Sequence, residues 1–538
     1  MKTLIACMLS SVCLFAQTKV SPEKEAALKA DMAGQIDSMK KQAQVMVDSV
    51  FSFAELGFQE FETSKYLSGI LEKEGFKIQR NIAGIPTAFV ATWGEGKPVI
   101  ALGSDIDDIP QASQKPGVAY RAPLVEGAPG HGEGHNSGMP LQILAALAAK
   151  RVMEREHLSG TLKVWPGVAE ELLGTKAYYV RAGVFKDVDV CLFAHVGANL
   201  GVGWGPGQGS GLVSVEYLFS GESAHAAAAP WRGRSALDAV ELMSIGYEFR
   251  REHLRLATRV HYVITNGGDQ PNVVPPNAGI WFYFREVDYD HIMNLWQIGD
   301  RMAQAATLMT DTTYTSRLLG SAWPGHFNKP IAEDVYENIK KVGLPQWSDD
   351  DQALAKAFQT LMKVPPRGLP VKIGPLRAPA PEPPPDFTGP EAQPTGGGSD
   401  DIGDISWNVP TVVLIYPSNF QGGPGHNWAN AISMATPVAH KGVVAGAKVS
   451  AMTILDILLH PELVQHAWDY FNNVQTKEVK YKSFLRPGDQ PPIWLNRQIM
   501  EQYRPAMKAF YYDPAKYDTY LEQLGVKYPT LQPPAGNQ

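Results

Sequence analysis

The chain has 538 residues, of which 44% are hydrophobic and 19% charged. This is the composition of a globular protein with two to four domains, and it excludes a disordered or collagen-like chain. The 48 basic and 55 acidic residues give a net charge of −7 without a basic run, which argues against a nucleic-acid-binding protein. Proline is enriched: 41 of 538 residues is about 7.6%, against a usual value near 5%, and eleven of the 41 fall in residues 361–400.

The first residues have the pattern of a secretory signal. Lys2 precedes an apolar run from Leu4 to Ala16 that is too short to cross a bilayer, so we expect cleavage near residue 16. An uncleaved anchor and a buried helix are the alternatives. The mature chain would keep only Cys191 of the three cysteines, so no intramolecular disulfide is expected. We expect no second stretch of about 18 apolar residues, and therefore an exported protein, periplasmic or secreted, without a membrane span.

Helical and strand patterns alternate along the chain. Residues 22–48 are charged and periodic, which predicts a helix. Four later apolar runs lack a polar alternation, which is typical of strands buried on both faces of a parallel α/β sheet. These runs are Val99–Leu102, Thr161–Trp165, Val188–Ala194 and Val412–Tyr416. An apolar, Ala-rich helix is predicted from Pro140 to Glu154, packed under the sheet.

Residues 211–320 follow a different order of elements. The pattern predicts a strand, a helix, two strands, a helix and a strand, which is the βαββαβ order of a ferredoxin-like domain. The predicted elements are Leu212–Phe219, Ser235–His253, Arg259–Thr265, Gly279–Phe284, Tyr289–Leu308 and Thr312–Leu318. We therefore predict an α/β fold with a mixed, mostly parallel-sheet catalytic domain and an inserted ferredoxin-like domain for lid and dimerisation roles.

The domain boundaries follow from these patterns. We predict a signal peptide over 1–16, catalytic segments at 25–208 and 323–462, the inserted domain at 209–322 and a C-terminal extension at 463–538. The second catalytic segment contains a Pro-rich insertion at 365–398. We expect this insertion at the active-site edge rather than between domains, and we expect the C-terminal extension to wrap around the fold in an ordered way.

Polar clusters follow the predicted buried strands. Asp105 and Asp107 follow the first strand, Glu170-Glu171 the second, His195 the third, and His426 the fourth, across a Gly-rich loop. A separate loop, GHGEGHN, carries Glu133 and His135. Each signal alone is more often structural, as a satisfied histidine, a solvated turn or a plain loop. Because the carboxyl ends of parallel strands share one sheet edge, the combination predicts a metal site there.

Several blocks resemble one known family. GHGEGHN looks like its GHGCGHN loop, VAEELLGTK like its PAEE segment, AHVGA like its HVGP segment, and SAHAAAAPWRGRSALDAV like its lid signature. QPNVVPPNA, GSDDIGDISWNVPT and GGPGHNW match the remaining blocks, in family order, from about residue 30 to 460. The chain therefore resembles the dinuclear metal-dependent amidohydrolases and carboxypeptidases, in the branch of aminobenzoyl-glutamate hydrolase, hippurate hydrolase and auxin-conjugate amidohydrolase.

The resemblance implies roles for single residues. It makes metal ligands of five side chains: Glu133, His135, Glu171, His195 and His426. It implies that Glu170 is the general base that activates a bridging water, that Asp107 orients a ligand, and that the lid residue His225 stabilises the oxyanion in a neighbouring subunit's site. Asn272 and Arg285 are weaker matches, to substrate or oxyanion contacts. The implied cofactors are two divalent ions, Zn or Mn/Co, and the implied assembly is a homodimer.

Several acidic and histidine residues near these ligands are interpreted as structural rather than catalytic. Asp105 falls where many relatives outside this branch have a ligand histidine, and we expect it to lie behind the ligands. We expect Asp400, Asp401 and Asp404 to be turn and cap residues and His131 to pack in its loop.

The main departure from the family is Glu133, which stands where the branch has cysteine. A carboxylate can also bridge two cations, but it replaces a soft ligand by a hard one. The implied function is hydrolysis of the amide bond of an N-acyl or aminobenzoyl amino acid, or of a dipeptide. The alternatives are an aminopeptidase-like dipeptidase and a catalytically inactive, exported binding protein that captures small amides.

Overall fold

The computed structural model describes residues 20–207, 209–379 and 397–533. The predicted signal peptide and residues 380–396, half of the predicted Pro-rich insertion, lie outside the described residues. The strands are β1 Lys77–Arg80, β2 Phe89–Glu95, β3 Val99–Asp105, β4 Gly160–Gly167, β5 Val190–Gly197, β6 Gly205–Pro206, β7 Gly211–Ser220, β8 Arg259–Asn266, β9 Asn277–Glu286, β10 Thr313–Ala322, β11 His326–Phe327 and β12 Thr411–Pro417. The α-helices are α1 Pro22–Ser38, α2 Lys40–Phe53, α3 Phe61–Lys73, α4 Gly138–Glu156, α5 Lys176–Arg181, α6 Ala236–Arg250, α7 Tyr289–Thr310, α8 Lys329–Val342, α9 Asp349–Leu361, α10 Ile402–Ser406, α11 Pro437–Leu459, α12 Pro461–Tyr470, α13 Arg497–Met507 and α14 Tyr520–Gln523.

A six-stranded sheet forms the centre of the molecule. Its order is β1-β2-β4-β3-β5-β12, in which β4, β3, β5 and β12 run parallel while β1 and β2 pair antiparallel at one edge. The four parallel strands are the four apolar runs of the sequence, so this prediction is confirmed. Their carboxyl ends meet at one sheet edge, because parallel strands all point the same way.

Helix α11 packs on strand β12 of this sheet and is largely buried. By length and composition it could cross a membrane, but 89% of its apolar window is buried inside the fold, as in the core helix of a soluble protein. The expectation that no second stretch of about 18 apolar residues exists is therefore wrong. Two of its charged residues, Lys448 and Asp456, interrupt the apolar run. They are paired with Asp37 at 2.8 Å and Lys29 at 2.5 Å, both on α1.

The helix predicted over residues 22–48 is two helices. Helix α1 ends at Ser38 and α2 begins at Lys40, because the Met39 N–H donates to both Gln35 O and Ile36 O in a tightened last turn. Both helices pack on α11 and α4.

The inserted domain has the predicted order of elements. Strands β7 to β10 form an antiparallel sheet in the order β10-β7-β9-β8, and α6 and α7 pack on it. Helix α6 ends at Arg250 and is followed by a 3₁₀ turn to His253. In its own domain numbering this is strand order 4-1-3-2, which leaves β8 at an exposed edge.

The described part of the C-terminal extension contacts both domains. Phe484 packs in the core of the inserted domain and Tyr520 in the core of the catalytic domain, each almost fully buried. Between them the Tyr178 hydroxyl donates to Gln490 O at 3.0 Å and the Trp494 ring stacks under Arg317 at 4.9 Å. The segment is ordered along both domains, as the sequence predicts.

Gly103 in β3 tests the packing of the central sheet. A Cβ there would lie 2.3 Å from the buried Trp165 ring, so Gly103→Ala should lower the free energy of unfolding by about 1–3 kcal/mol. Gly34 in α1 is the matched control, because its Cβ would meet nothing within 4 Å and alanine is the better helix former, by about 0.5–1 kcal/mol. Urea unfolding of both variants measures the difference. Equal stabilities of the two variants would contradict this packing.

Candidate active site

A cleft of about 390 Å³ opens at the carboxyl ends of the parallel strands. Both domains line it: Glu170 and Asp400 come from the catalytic domain, and Tyr283 and Arg285 from β9 of the inserted domain. Arg377 and Gly398, the described flanks of the Pro-rich stretch, also line it. Its size is typical of a small-molecule site.

Glu133 lies at the centre of two groups of ligand-type side chains. One group is Glu133, His135 and His195, and the other is Glu133, Glu171 and His426. In each group one nitrogen or oxygen atom per residue lies within 4.8 Å of the others. The two carboxylate oxygens of Glu133 divide between the groups: Oε1 is 3.5 Å from His195 Nε2 and Oε2 is 2.7 Å from His426 Nε2. His426 Nε2 is also 3.2 Å from Glu171 Oε2.

The loop that carries Glu133 and His135 is held from both sides. Gly134 has φ +117°, and a Cβ there would lie 2.6 Å from Met434 Sδ, so glycine is required between the two ligand-type residues. The Asn136 amide donates to Val47 O and to Met434 O at 3.2 and 2.7 Å. His131 is buried in the same loop, 2.9 Å from Asp108, and packs there as predicted.

The orientation of the imidazoles is set by their other contacts. His195 Nδ1 donates to Val196 O at 3.0 Å, because a carbonyl can only accept, and Nε2 is thereby directed at Glu133. His135 lies edge-on to His195, with ring centroids 5.5 Å apart. Asp107 approaches His135 Nδ1 at 3.5 Å and accepts the Glu171 N–H at 3.0 Å, so it lies behind both residues.

The ionisable groups of the site perturb one another strongly. Burial, reinforced by the charge of Glu133, raises the pKa of Glu171 well above its usual value. Burial and the charges of Asp400 and Asp105 do the same to the pKa of Glu170. Although burial opposes it, the contacts with His426, His135 and His195 hold the pKa of Glu133 well below its usual range. The cluster thus holds more negative charge than its burial tolerates without cations.

The side chains fit two divalent cations. Among the described residues, both ring nitrogens of His135 and Oε1 of Glu171 are buried without a hydrogen-bond partner, although buried polar atoms are normally satisfied. Cations in the two groups would use one nitrogen of His135 and this oxygen of Glu171, and Glu133 would be the shared ligand. Oxygen and imidazole ligands suit Zn²⁺, Mn²⁺ and Co²⁺.

A buried ion-pair cluster below the site was not identified from the sequence. Lys176 is fully buried, and its ammonium lies 2.7 Å from Asp105 Oδ1, against Asp401 Oδ1 and 3.5 Å from Asp400 Oδ1. Asp105 thus lies behind the ligands, as expected. Asp401 accepts the N–H groups of Thr175 and Lys176, so the turn-and-cap interpretation of Asp400 and Asp401 is incomplete. The sequence signal that could have identified this cluster is the excess of acidic residues in the segments around Asp105 and around Asp400, because buried carboxylates require a cation nearby.

The remaining predicted residues divide between the cleft and the surface. Arg285 is half-buried in the cleft, donates to Ser399 Oγ at 3.2 Å and lies over the Tyr283 ring. His225 and Asn272 are exposed on the inserted domain and do not line the cleft of their own chain. His225 Nδ1 accepts the N–H groups of Ala227 and Ala228 at 3.2 Å, so its proton is on Nε2.

Comparisons with known proteins agree with this geometry. The peptidase dimerisation domain of the M20 family matches residues 209–306. One of the p-aminobenzoyl-glutamate hydrolase subunits of Escherichia coli is 33% identical over 438 residues, 78% of this chain and 90% of that protein. The chain belongs to the M20 family of metal-dependent amidohydrolases and peptidases.

Further relatives support the fold and the class. The Xaa-Arg dipeptidase of Mus musculus is 27% identical over 447 residues, 81% of this chain and 90% of that protein. A solved structure from methicillin-resistant Staphylococcus aureus, described as an aminohydrolase, shares the fold with a TM-score of 0.54 at 16% identity, over 80% of this chain and all of that chain. This M20 member is an enzyme.

Metal content tests the shared ligand. The wild-type chain should retain two divalent cations after gel filtration, and Glu133→Ala should retain fewer than one, because both groups lose their common oxygen ligand. Elemental analysis of the purified proteins measures this.

His460→Ala is the matched control. His460 forms a similar group with Glu25 and Asp456, but the Lys29 ammonium already neutralises it, at 3.0 and 2.5 Å. Its loss should leave the metal content unchanged. Two cations retained by Glu133→Ala would refute the shared site.

Proposed function

We propose that this enzyme hydrolyses the amide bond of N-acyl or aminobenzoyl amino acids, with two divalent cations, Zn or Mn/Co, held by Glu133, His135, Glu171, His195 and His426. The observation that carries the proposal is the pair of ligand groups that share Glu133, with the carboxyl of Glu170 beside them in the same cleft. When bound, such cations supply Lewis acidity and lower the pKa of water.

Glu170 is the acid–base residue in this proposal. It is buried, lines the cleft and is next in sequence to the ligand Glu171, so its carboxylate faces the same reacting centre. Cations beside it would reverse the rise in its pKa and leave it ionised to accept a proton from the attacking water. Glu170 then returns that proton to the leaving amine. This assistance is worth about 10²–10⁴-fold in rate.

Arg285 is the proposed contact for the substrate carboxylate. It lines the cleft, and its Nε is buried without a hydrogen-bond partner among the described residues. A guanidinium pairs well with a planar carboxylate, which every N-acyl amino acid carries. Val413, Ile415 and Phe327 provide an apolar wall in the same cleft for the acyl group. The names of the relatives, p-aminobenzoyl-glutamate hydrolase and Xaa-Arg dipeptidase, support substrates of this type.

We further propose a homodimer in which His225 acts in the neighbouring subunit's cleft. The match to a dimerisation domain supports this, as does the exposed edge strand β8, where Val263 and Ile264 are about half exposed. An unpaired apolar edge is a ready site for strand pairing with a second copy. His225 has a fixed N–H donor and no role in its own cleft, so it can serve as an oxyanion donor there. Asn272 lies on the same face of the domain, with its O accepting from Ala226 N at 3.0 Å.

The variant Glu170→Gln tests the acid–base role. It should keep two cations per chain and lose about 10²–10⁴-fold in kcat, because the amide cannot accept the proton. Amine release from a panel of N-acyl amino acids and dipeptides measures turnover, with and without a chelator. Wild-type turnover by this variant would refute the role. Turnover of only those panel members that carry a free α-amine would favour the dipeptidase alternative.

Mixed subunits test the trans role of His225. His225→Ala and Glu170→Gln should each be nearly inactive, and a purified mixed dimer should regain one working cleft. Differently tagged, co-expressed chains provide that dimer. Val263→Lys, which places a charge on the β8 edge, should give monomers of low activity with the metal content intact. An inactive mixed dimer would contradict the proposal, as would an active monomer.

A further inference from the structure

Glu60 is a fully buried carboxylate that lies outside the cleft. Its Oε1 accepts two backbone N–H groups, from Phe58 at 3.0 Å and from Ala169 at 2.7 Å. Its Oε2 accepts the hydroxyl of Thr87 at 2.8 Å. One carboxylate oxygen thus joins two distant chain segments, and the second segment runs directly into Glu170.

Both backbone donors belong to residues in the left-handed region. Phe58 has φ +66° and Ala169 has φ +49°, a conformation that side chains other than glycine adopt at an energetic cost. Leu173, at the other end of the Glu170–Glu171 turn, also has a positive φ, of +51°. The turn that presents the base and a metal ligand is therefore strained at both ends. Its conformation must be held by contacts from outside the turn.

Glu60 is not required for the helix that it precedes. It occupies the N-cap position of α3, yet its side chain makes no capping bond there. The first turn of α3 is capped instead by Glu55, which accepts the N–H groups of Glu62 at 3.2 Å and Thr63 at 2.9 Å. Two of the three hydrogen bonds that the Glu60 carboxylate accepts come from the backbone of the loop and of the turn, and the third comes from the Thr87 hydroxyl.

The loop of residues 55–60 is packed tightly against the catalytic turn. A Cβ at Gly57 would lie 2.8 Å from Ala169 Cα and 3.0 Å from Asp107 Oδ2, so backbone meets backbone there. The outer side of the loop is held by the C-terminal extension: Asn496 donates to Gly57 O at 3.1 Å and Gln59 donates to Leu495 O at 2.9 Å.

We propose that Glu60 is a positioning residue that fixes the left-handed turn at Ala169 and thereby aims Glu170 and Glu171. This inference rests on the proposed function, since it assumes that the aim of Glu170 limits turnover. Burial and the nearby charge of Asp107 raise the pKa of Glu60 to about 8. The positioning role needs an oxygen that accepts hydrogen bonds from two backbone N–H groups, and it does not need a charge. A neutral carboxamide should therefore substitute for the carboxylate.

Glu60→Met and Glu60→Gln separate positioning from general stability. Methionine removes all three acceptor contacts at similar volume, and kcat should fall about tenfold or more, because small displacements of reacting groups are costly. KM and the near-ultraviolet circular dichroism should change little. Glutamine can offer its oxygen to both amides and its NH₂ to the Thr87 hydroxyl, and should stay within about threefold of the wild-type kcat.

Glu55→Met is the matched control, since Glu55 is an equally buried carboxylate of the same loop whose bonds go to α3 and Arg504. It should lower stability to urea but leave kcat per folded chain unchanged. If Glu60→Met does not fold, Glu60→Asp replaces it, because its shorter side chain also withdraws the oxygen from Ala169. A wild-type kcat in the folded variant would overturn the proposal, as would equal losses in Glu60→Gln or in Glu55→Met.

The failure of this inference can be distinguished from failure of the proposed function. Glu170→Gln is measured in the same assay. If Glu170→Gln is inactive while Glu60→Met has the wild-type kcat, only the positioning role fails. If Glu170→Gln turns over like the wild type, the proposed acid–base role fails as well, and the aim of Glu170 has no catalytic meaning.

Discussion

Charge concentration at one sheet edge is the constraint on which the rest of this structure depends. Glu133, Glu170 and Glu171 converge in a cleft together with Asp400, and Asp105 and Asp107 lie directly behind. Carboxylates repel at such distances, and burial adds to the cost of their charge. Two kinds of cation neutralise these carboxylates. One is the ammonium of Lys176 below the cleft, and the other, in the proposed function, is the pair of divalent ions within it.

The surrounding fold supplies rigidity at the points where that site needs it. Gly134 between Glu133 and His135 has a positive φ, as do Ala169 and Leu173 on either side of Glu170–Glu171. These backbone turns direct neighbouring side chains to different positions. Such turns do not hold themselves, and contacts from the first helices, the loop at residues 55–60 and the C-terminal extension over-determine them. The extension therefore contacts the inserted domain and also the loop at residues 55–60, which packs against the catalytic turn.

The two domains contribute to the site in different ways. Arg285 and Tyr283 reach the cleft of their own chain because β9 ends beside it. His225 follows strand β7, is exposed on the inserted domain and does not line that cleft. In the proposed function, a single chain thus combines the cation ligands and the carboxylate contact with a hydrogen-bond donor that lies outside its own cleft. The proposed homodimer would place that donor in the neighbouring subunit's cleft.

The sheet and the location of the site were predictable from the amino-acid pattern. Apolar runs such as Val188–Ala194 are typical of strands buried on both faces, and polar residues directly after parallel strands meet at one edge. The ligand-type residues were therefore recognisable before their geometry. The apolar character of α11 was missed because Lys448 and Asp456 interrupt it, and their partners on α1 are remote in sequence.

How these groups are held follows from contacts between residues that are up to several hundred positions apart. Lys176 is buried among Asp105, Asp400 and Asp401. Glu60 joins residue 58 to residue 169, and Glu133 divides its oxygens between two groups. Local patterns record which faces are buried, because hydrophobic periodicity is a local property. The pairing of buried charges and the support of strained turns are properties of the packed chain.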